Sequence, residues 1–258
     1  MIQYRAYAKV NIFLKITGKR GAYHTITSRF MRVSSLYDTL WFEPKSTPEF
    51  EIKGDFDCDV GSNTIYKAYK NLLAATGSDK LSQWMEKHAV CVKKQIPSFA
   101  GLGGGCSDAA TYLHMCNDQL ELGLSTEALA VIGANVGADV PFFVYGYESA
   151  NVSGIGEIVE RYDEKPLDFE IITPQIKIST PIVYNYYREH LYAPISEAEA
   201  HRLEQTASIE ILKNMNPKEA NDLYPAALTS YPELCEKEGW FFSGSGSSFY
   251  RLKEPTYG

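Results

Sequence analysis

The chain has 258 residues, of which 45% are hydrophobic and 22% are charged, and its formal net charge is -7. This length and composition indicate a globular protein; we favour two compact lobes, with one large domain as the alternative. The acidic balance argues against a general binder of nucleic acid or of membrane surfaces, because both functions need a basic face.

Cysteine usage and the N-terminal segment indicate the cellular compartment. The five cysteines include no C-x-x-C pair, so we expect neither a disulfide framework nor a zinc site. Residues 1–16 carry a lysine and an asparagine inside an apolar stretch and show no cleavage pattern, and no later run approaches the roughly 18 apolar residues of a membrane span. We therefore expect a soluble, unprocessed chain in the reducing cytoplasm.

The first third of the chain is predicted to form a mostly antiparallel sheet. Apolar residues alternate with other residues over 10–16, and the segments 29–36 and 38–43 follow as two more strands. An amphipathic helix is predicted next, because apolar residues recur at helical spacing between Asn63, the expected N-cap, and Gly77, the expected C-cap.

The middle of the chain predicts a strand, a loop and a helix in series. The short strand covers residues 88–94 and leads into PSFAGLGGGCSDAA, after which a helix covers 107–120. A further helix begins at a Ser-Thr cap and leads to ADVPFFVYG. There Pro141 should prevent helix continuation, so residues 142–144 are predicted to form a buried strand.

The pattern of predicted elements changes past the middle of the chain. A strand over 169–174, a helix that starts at a Thr-Pro pair, further helix around 196–236 and the closing segment WFFSGSGSSFYRL follow one another. This change indicates an N-terminal domain over 1–155 and a C-terminal domain over 156–258.

The glycine-rich segment after the short strand is the main functional signal. A Walker A loop needs a lysine, and none lies between Lys94 and the end of the following helix. A dinucleotide motif needs a glycine where Cys106 stands. A plain turn, which remains the alternative, needs only one or two glycines. We therefore favour a loop whose backbone N–H groups bind phosphate at a helix start, with the Asp108 side chain pointing away.

These residues resemble motifs of the GHMP kinase superfamily. The stretch IPSFAGLGGGCSDAA resembles its second motif, and GSGSSF resembles its third. The stretches AYAKVNIFLKITGKRGAYHTITSRFMRVSSLYDTL and GADVPFFVYG narrow the resemblance to members that phosphorylate a cytidine diphosphate-linked methylerythritol. The resemblance spans almost the whole chain. It implies an α+β, two-domain GHMP kinase fold, with an N-terminal domain like ribosomal protein S5 domain 2 and a ferredoxin-like C-terminal domain.

The resemblance also implies a reaction. The implied reaction is phosphorylation of the 2-hydroxyl of this small-molecule substrate by an ATP-dependent kinase of non-mevalonate isoprenoid biosynthesis. Mg²⁺ is expected with ATP, but no carboxylate pair stands out as its ligand, so the metal site is unassigned. We expect no nucleic-acid or membrane partner and a monomer or homodimer. The alternatives are another small-molecule GHMP kinase, such as one for mevalonate or homoserine, and a catalytically degenerate nucleotide-binding relative.

The resemblance implies roles in the reaction for three residues. For two of them an ordinary structural role is the alternative. Asp139, otherwise a turn former, is the expected base that takes the hydroxyl proton. Lys9, otherwise a strand lysine that reaches solvent, is expected to keep Asp139 ionised and to balance phosphoryl charge. Asn11 lies on the same strand face and should hydrogen-bond the substrate hydroxyls.

Substrate binding is assigned in the same way. The resemblance implies that Tyr23 and Tyr184 stack on opposite faces of cytosine while His24 hydrogen-bonds the base, whereas aromatic packing at a core edge is the ordinary interpretation. Thr180 is an expected helix N-cap with or without a substrate contact. The pair Gly244 and Ser245 should lie near the phosphates, although the sequence SGSG alone also suits a linker.

The expected ATP ligands follow from the second motif. Lys94 and Asn63 match positions near the nucleotide, but a surface lysine and an ordinary cap explain them equally. The sequence departs from the family pattern in three places. Cys106 and Asp108 stand where serine and asparagine are more common, and the segment GAYH lacks the aspartate of the usual DGYH. The sequence also ends eight residues after Tyr250. The loop residues expected at the phosphates are Pro97, Gly101, Leu102, Gly103, Gly104, Gly105, Cys106 and Ser107.

Overall fold

The computed structural model describes residues 1–253. Contacts divide the chain into two compact units that alternate along the sequence. The expected division between residues 155 and 156 stays a prediction, and the expected early end of the second domain falls on 254–258, outside the described residues. Unit 1 comprises Met1–Ala8, Leu36–Ser98 and Gly103–Gly146, and unit 2 comprises Lys9–Ser35, Phe99–Leu102 and the chain from Tyr147 onward.

Two long strands, β1 (Tyr4–Arg20) and β2 (Tyr23–Pro44), pair with each other and run through both units. The two strands expected over 29–36 and 38–43 are one strand, because no glycine or proline interrupts β2 before its last residue. The remaining strands are β3 (Ile52–Lys53), β4 (His88–Lys93), β5 (Ser149–Gly154), β6 (Ile158–Arg161), β7 (Phe169–Ile172), β8 (Phe241–Phe242) and β9 (Phe249–Leu252).

Strand pairing differs between the units. In unit 1 the later part of β2 pairs antiparallel with β4, and β4 pairs in parallel with β3. In unit 2 the earlier part of β2 pairs antiparallel with β5, and β5 pairs antiparallel with β6. A second sheet in unit 2 has β9 between β7 and β8. The mostly antiparallel sheet predicted for the first third is confirmed.

Local signals explain several helix ends. Asn63 accepts a hydrogen bond from the N–H of Ile65, and Gly77, with φ 58, ends the same helix, as predicted. A π-helical turn, Tyr187–Leu191, continues α6. The helices are α1 (Thr64–Thr76), α2 (Asp79–Lys87), α3 (Gly104–Gln119), α4 (Thr126–Ala134), α5 (Val140–Tyr145), α6 (Thr180–Tyr186), α7 (Glu197–Gln205), α8 (Ser208–Asn214), α9 (Pro217–Ala220) and α10 (Leu223–Ser230).

Two predictions in the middle of the chain are wrong. Helix α3 begins at Gly104 rather than near Ser107, because Gly103, with φ 73, takes the N-cap position. Residues 142–144 lie in α5 and not in a strand. Pro141 stands in the first turn of α5, where a missing N–H breaks no helical hydrogen bond and the fixed φ suits a helix.

Each unit has its own hydrophobic core. The core of unit 1 packs β2 and β4 against α1 and α3, with Leu40, Ile65 and Leu113 fully buried. The core of unit 2 packs β1 and β9 against α6 and α10, with Ile16 and Phe249 fully buried. Burial of such side chains is worth about 1.5–3 kcal/mol each. Within residues 1–253, no helix combines the length and the apolar composition needed to cross a membrane.

A buried guanidinium links several segments of unit 2. Arg29 on β2 donates from Nε to Asn151 Oδ1 at 2.7 Å and from Nη2 to the Glu204 carbonyl at 2.7 Å. Its Nη1 lies 3.4 Å from Glu164 Oε1, and its Cζ lies 3.4 Å from the Tyr162 ring centroid. Burial lowers the pKa of Arg29, and Glu164 counteracts that shift. These partners therefore stabilise a cation inside the fold.

Replacing Arg29 with methionine is expected to lower the free energy of unfolding by roughly 3–5 kcal/mol, because Glu164 loses its buried cation. A matched control is Arg251→Met, which breaks an ion pair with Glu170 that is about half exposed. That change should cost under about 1 kcal/mol. Urea-induced unfolding measures both variants, and equal losses would contradict a stabilising role for the buried pair.

Candidate active site

The helix end that leaves the glycine loop is suited to bind an anion. The N–H groups in the first turn of an α-helix have no acceptor within the helix, and in α3 they belong to Gly104, Gly105 and Cys106. A β carbon on Gly104 would lie 2.9 Å from Ile96 Cγ2, so glycine permits this close packing. Gly105 is exposed. The residues at this turn therefore fit a phosphate group.

The predicted loop residues differ in exposure. Leu102 and Ser107 are buried, and Cys106 is half-buried. Gly105 and Pro97 are exposed. A ligand at this turn would therefore meet mainly backbone groups and not the buried side chains.

Within unit 2, residues 99–102 are held from two sides. Lys9 on β1 donates its backbone N–H to the carbonyl of Leu102 at 3.0 Å. From the other side, Ser243 Oγ donates to the carbonyl of Gly101 at 2.9 Å. The first part of the glycine loop thus has a defined backbone position.

The segment around Gly244 is held by side chains from two helical regions. Asn221 Nδ2 donates to the carbonyl of Gly244 at 2.8 Å. The hydroxyls of Thr180 and Ser245 lie 2.6 Å apart, so these two predicted substrate residues come together. Thr180 is the first residue of α6 and not its N-cap, a position that Ser179 takes.

Lys9 and Asn11 form a buried pair on one face of β1. Lys9 Nζ donates to Asn11 Oδ1 at 2.6 Å, and Asn11 Nδ2 donates to Ser28 Oγ at 3.0 Å. The Lys9 ammonium also lies 4.4 Å from the centroid of the Phe30 ring. Lys9 is only 3% exposed, so the interpretation of a strand lysine that reaches solvent is wrong.

Aromatic rings surround His24 at the start of β2. The ring stacks on Tyr184 with centroids 5.4 Å apart, and the edge-on ring of Tyr187 lies 5.8 Å away. Tyr23, its neighbour in sequence, is 64% exposed. Both residues belong to β2. Stacking of Tyr23 and Tyr184 on a base stays a prediction.

The His24 ring has a free polar atom. Its Nε2 is buried and has no hydrogen-bond partner within the part of the chain that the structure describes. Burial lowers the pKa of His24, and the cations of Arg188 and Lys19 lower it further. The imidazole is therefore neutral near pH 7 and offers one nitrogen to a ligand.

A cluster of three charged side chains lies beside the loop in unit 1. Lys94 Nζ lies 2.5 Å from Asp38 Oδ2 and 2.7 Å from Asp108 Oδ2. Burial raises the pKa of Asp108 from 3.8 to about 7, although Lys94 acts in the opposite direction. The ordinary interpretation of Lys94 as a surface lysine is wrong, and a contact with nucleotide stays a prediction.

Asn63 and Asp139 both stand at helix starts in unit 1. Asn63 caps α1 through its Oδ1, and the next residue, Thr64, donates from Oγ1 to the carbonyl of Gly105 at 2.6 Å. The start of α1 therefore contacts the first turn of α3. Asp139 is half-buried at the N-cap position of α5, and its side chain does not cap that helix.

The two units divide the predicted site residues between them. Unit 1 contains Asn63, Lys94, Pro97, Gly103, Gly104, Gly105, Cys106, Ser107 and Asp139. Unit 2 contains Lys9, Asn11, Tyr23, His24, Gly101, Leu102, Thr180, Tyr184, Gly244 and Ser245.

Sequence reasoning missed two residues that hold the site. Asp38 forms an ion pair with Lys94. The signal in the sequence was a carboxylate in a strand, two residues before Leu40, which is fully buried. Asn221 donates a hydrogen bond to the carbonyl of Gly244. The signal in the sequence was an amide side chain just before the apolar start of α10. Both signals depend on knowing which side of the element faces inward.

Two relatives of the chain share the same name. The family model described as GHMP kinases N terminal domain matches residues 63–147. A 4-diphosphocytidyl-2-C-methyl-D-erythritol kinase of Sulfurimonas denitrificans is 59% identical over 97% of each chain. One of Sulfurovum sp. is 48% identical over 98% of this chain and 100% of that protein. The chain belongs to the 4-diphosphocytidyl-2-C-methyl-D-erythritol kinase family.

Solved structures agree with membership in this kinase family. A crystal structure of 4-(cytidine 5'-diphospho)-2C-methyl-D-erythritol kinase matches with a TM-score of 0.75 and 29% identity, over 98% of this chain and 90% of that one. Methanococcus jannaschii mevalonate kinase has a TM-score of 0.60 at 14% identity over 97% and 90%, which shows the fold alone. The predicted GHMP kinase fold and small-molecule kinase class are confirmed, and a kinase family implies ATP use.

Replacing Gly101 with alanine is expected to cost more than the same change at Gly77. Both glycines have a left-handed φ, 72 and 58, so alanine costs about 1–2 kcal/mol at either position. At Gly101 the new β carbon would also lie 2.0 Å from the Ser243 carbonyl oxygen, whereas no described atom lies within 4 Å at Gly77. Displacing Ser243 adds roughly 1–3 kcal/mol. Chemical unfolding measures the difference, and equal losses would contradict the constraint.

Proposed function

We propose that the chain transfers the γ-phosphoryl group of ATP to the 2-hydroxyl of 4-diphosphocytidyl-2-C-methyl-D-erythritol, giving the 2-phosphate and ADP. The observation that carries this proposal is the near full-length likeness to kinases of that name. The reaction belongs to non-mevalonate isoprenoid biosynthesis. We further propose that the enzyme works in the cytoplasm as a monomer or homodimer.

The glycine loop is the proposed site for the phosphates of ATP, over residues 101–107. Support comes from the N–H groups at the start of α3 and from glycines that leave no side chain between backbone and ligand. Mg²⁺ is proposed to arrive as the ATP complex, with phosphate oxygens and water among its ligands. Among residues 1–253, no group of three or more His, Cys, Asp or Glu side chains is placed to hold a metal ion.

Phosphoryl transfer is proposed to use Asp139 as the base. Asp139 takes the proton from the 2-hydroxyl, the oxygen forms a bond to the γ-phosphorus, and the bond from that phosphorus to the β-phosphate oxygen breaks to release ADP. Lys9 supplies positive charge near the developing oxyanion, and Asn11 orients the hydroxyls. The burial of Lys9 and its bond to Asn11 support a role inside the protein and not at its surface.

Cytosine recognition is proposed to use His24. Its unpartnered, buried Nε2 and its lowered pKa support a neutral ring that hydrogen-bonds the base. Tyr184 stacks on the imidazole, and Tyr184 and the exposed Tyr23 are proposed to stack on opposite faces of the base. Thr180 and Ser245, whose hydroxyls meet, are proposed to face the substrate phosphates.

One assay tests the proposed function against its alternatives. ATP turnover is measured with and without the cytidylyl substrate, and with mevalonate or homoserine in its place. We expect turnover with the cytidylyl substrate and the 2-phosphate as product. Turnover with another alcohol alone would identify a different small-molecule kinase, and no turnover with any would favour a nucleotide-binding relative without catalysis.

Replacing Asp139 with asparagine is expected to lower kcat by roughly 10²–10⁴-fold, because an amide of the same shape takes up no proton. ATP binding should persist, since the loop backbone is unchanged. Asp163→Asn, at a surface residue paired with Arg161, is the matched control and should keep kcat. Near-normal turnover in the Asp139 variant would reject this residue as the base.

Replacing His24 with phenylalanine is expected to raise the KM for the cytidylyl substrate roughly tenfold, because one hydrogen bond to the base is lost. The ring still packs on Tyr184, so folding and the KM for ATP should be retained. Cytidine diphosphate should compete with substrate strongly in the wild type and weakly in the variant. Equal competition in both proteins would exclude His24 from base recognition.

A further inference from the structure

The charged cluster of Asp38, Lys94 and Asp108 is closed off from water. The side chains of Asp38, Asp108 and Lys94 are 0%, 3% and 13% exposed. Burial opposes the charge on Lys94, but the two carboxylates outweigh it and raise the pKa of Lys94. Lys94 therefore stays cationic, and Asp108 is the member of the cluster that takes up a proton.

Both sides of the loop in unit 1 depend on this cluster. Asp38 Oδ1 accepts hydrogen bonds from the backbone N–H groups of Gln95 at 2.5 Å and Ile96 at 2.8 Å, where the chain enters the loop. Asp108 lies in the first turns of α3, where the chain leaves the loop. Lys94 bridges the two carboxylates, so an ion pair joins the entry of the loop to its exit.

The cluster is close to the proposed phosphate site. A β carbon built on Gly104 would lie 3.6 Å from Lys94 Nζ, which places the ammonium next to the first turn of α3. The cluster has a net charge of about -1 when Asp108 is ionised and about 0 when Asp108 carries a proton. A negative charge at this position opposes a bound polyphosphate, because burial weakens the screening by solvent.

Helices α1, α4 and α5 contribute a hydroxyl group and apolar side chains next to α3. Helix α1 presents Thr64, which donates to the carbonyl of Gly105. Helices α4 and α5 contribute apolar side chains to the core around α3, including Leu129 and Val140. The charged groups that act on Asp108 within the described chain are Lys94, which lowers its pKa, and Asp38, which raises it.

We propose that Asp108 is a positioning residue that retains Lys94 at the base of the glycine loop and makes phosphate binding by that loop dependent on pH. The proposal rests on the proposed binding of ATP phosphates by the loop. When Asp108 loses its proton, the cluster becomes negative and holds Lys94 firmly, so ATP binds less tightly. When Asp108 takes up a proton, the repulsion disappears and Lys94 is freer to interact with phosphate.

The test compares wild type with Asp108→Asn between pH 6 and pH 8, at excess Mg²⁺. The KM for ATP of the wild type should rise roughly threefold to tenfold with pH, as expected when one buried charge appears near the anion. The variant has no group to titrate at this position, so its KM for ATP should be low and nearly constant. The ionisation of ATP itself is the same in assays of both proteins, so its effect on KM cancels when the two pH profiles are compared.

Asp118→Asn is the matched control, because Asp118 is an exposed aspartate on the same helix. It should retain the pH profile of the wild type. A stability measurement separates folding from binding. Above pH 3.8, Asp108 loses its proton in the unfolded chain but keeps it in the folded protein. The free energy of unfolding of the wild type should therefore fall, relative to that of the Asp108 variant, as pH rises from 4 to 7.

Parallel pH profiles of the wild type and the Asp108 variant would overturn the proposal, as would a variant that is less stable than the wild type at pH 8. Failure of the proposed function gives a different result, namely no turnover of the cytidylyl substrate by the wild type. In that case, calorimetric titration with ATP and Mg²⁺ at pH 6 and pH 8 still measures the effect of Asp108 on phosphate binding.

Discussion

The close approach of two backbone segments in unit 2 is the constraint on which the glycine loop depends. The carbonyl oxygen of Ser243 lies where a β carbon of residue 101 would be, so only glycine fits there. Lys9 holds the next peptide group from β1, and Asn221 holds the carbonyl of Gly244. The start of the loop is therefore positioned by backbone packing, while its end is positioned by the N-cap of α3 in unit 1.

Buried cations recur in both units, and each has its own means of compensation. Arg29 has carbonyl, amide and carboxylate acceptors in unit 2, and its role is to hold strands and helices together. Lys9 donates to Asn11 and lies over the face of Phe30, so an amide oxygen and an aromatic ring are among its partners. Lys94 has two carboxylates, more than its charge needs. The last arrangement leaves a surplus negative charge, and burial, with a smaller contribution from Asp38, raises the pKa of Asp108 to about 7 although Lys94 lowers it.

Signals that act within a few residues were predicted well. Asn63 and Gly77 mark the ends of α1 because a cap acts on the turn next to it. The family motifs indicated the fold, which the strand and helix patterns alone could not select. Pro141 was misjudged, since proline is compatible with the first turn of a helix and the sequence does not show where that turn begins. Asp38 was missed because its partners come from later segments of the chain, and only the folded sheet brings them together.

The two unusual residues of the second motif have long-range explanations of the same kind. Asp108 is balanced by Lys94 and so requires the lysine that precedes the loop. At residue 106, a sulfur atom is larger than a hydroxyl oxygen, and a β carbon on Gly137 would lie 3.3 Å from Cys106 Sγ, so glycine at 137 leaves the space that sulfur needs. A thiol is a weak hydrogen-bond donor, and the Asp108 side chain is buried against Lys94. A phosphate bound at this turn would therefore meet backbone N–H groups, which no substitution of these two side chains removes.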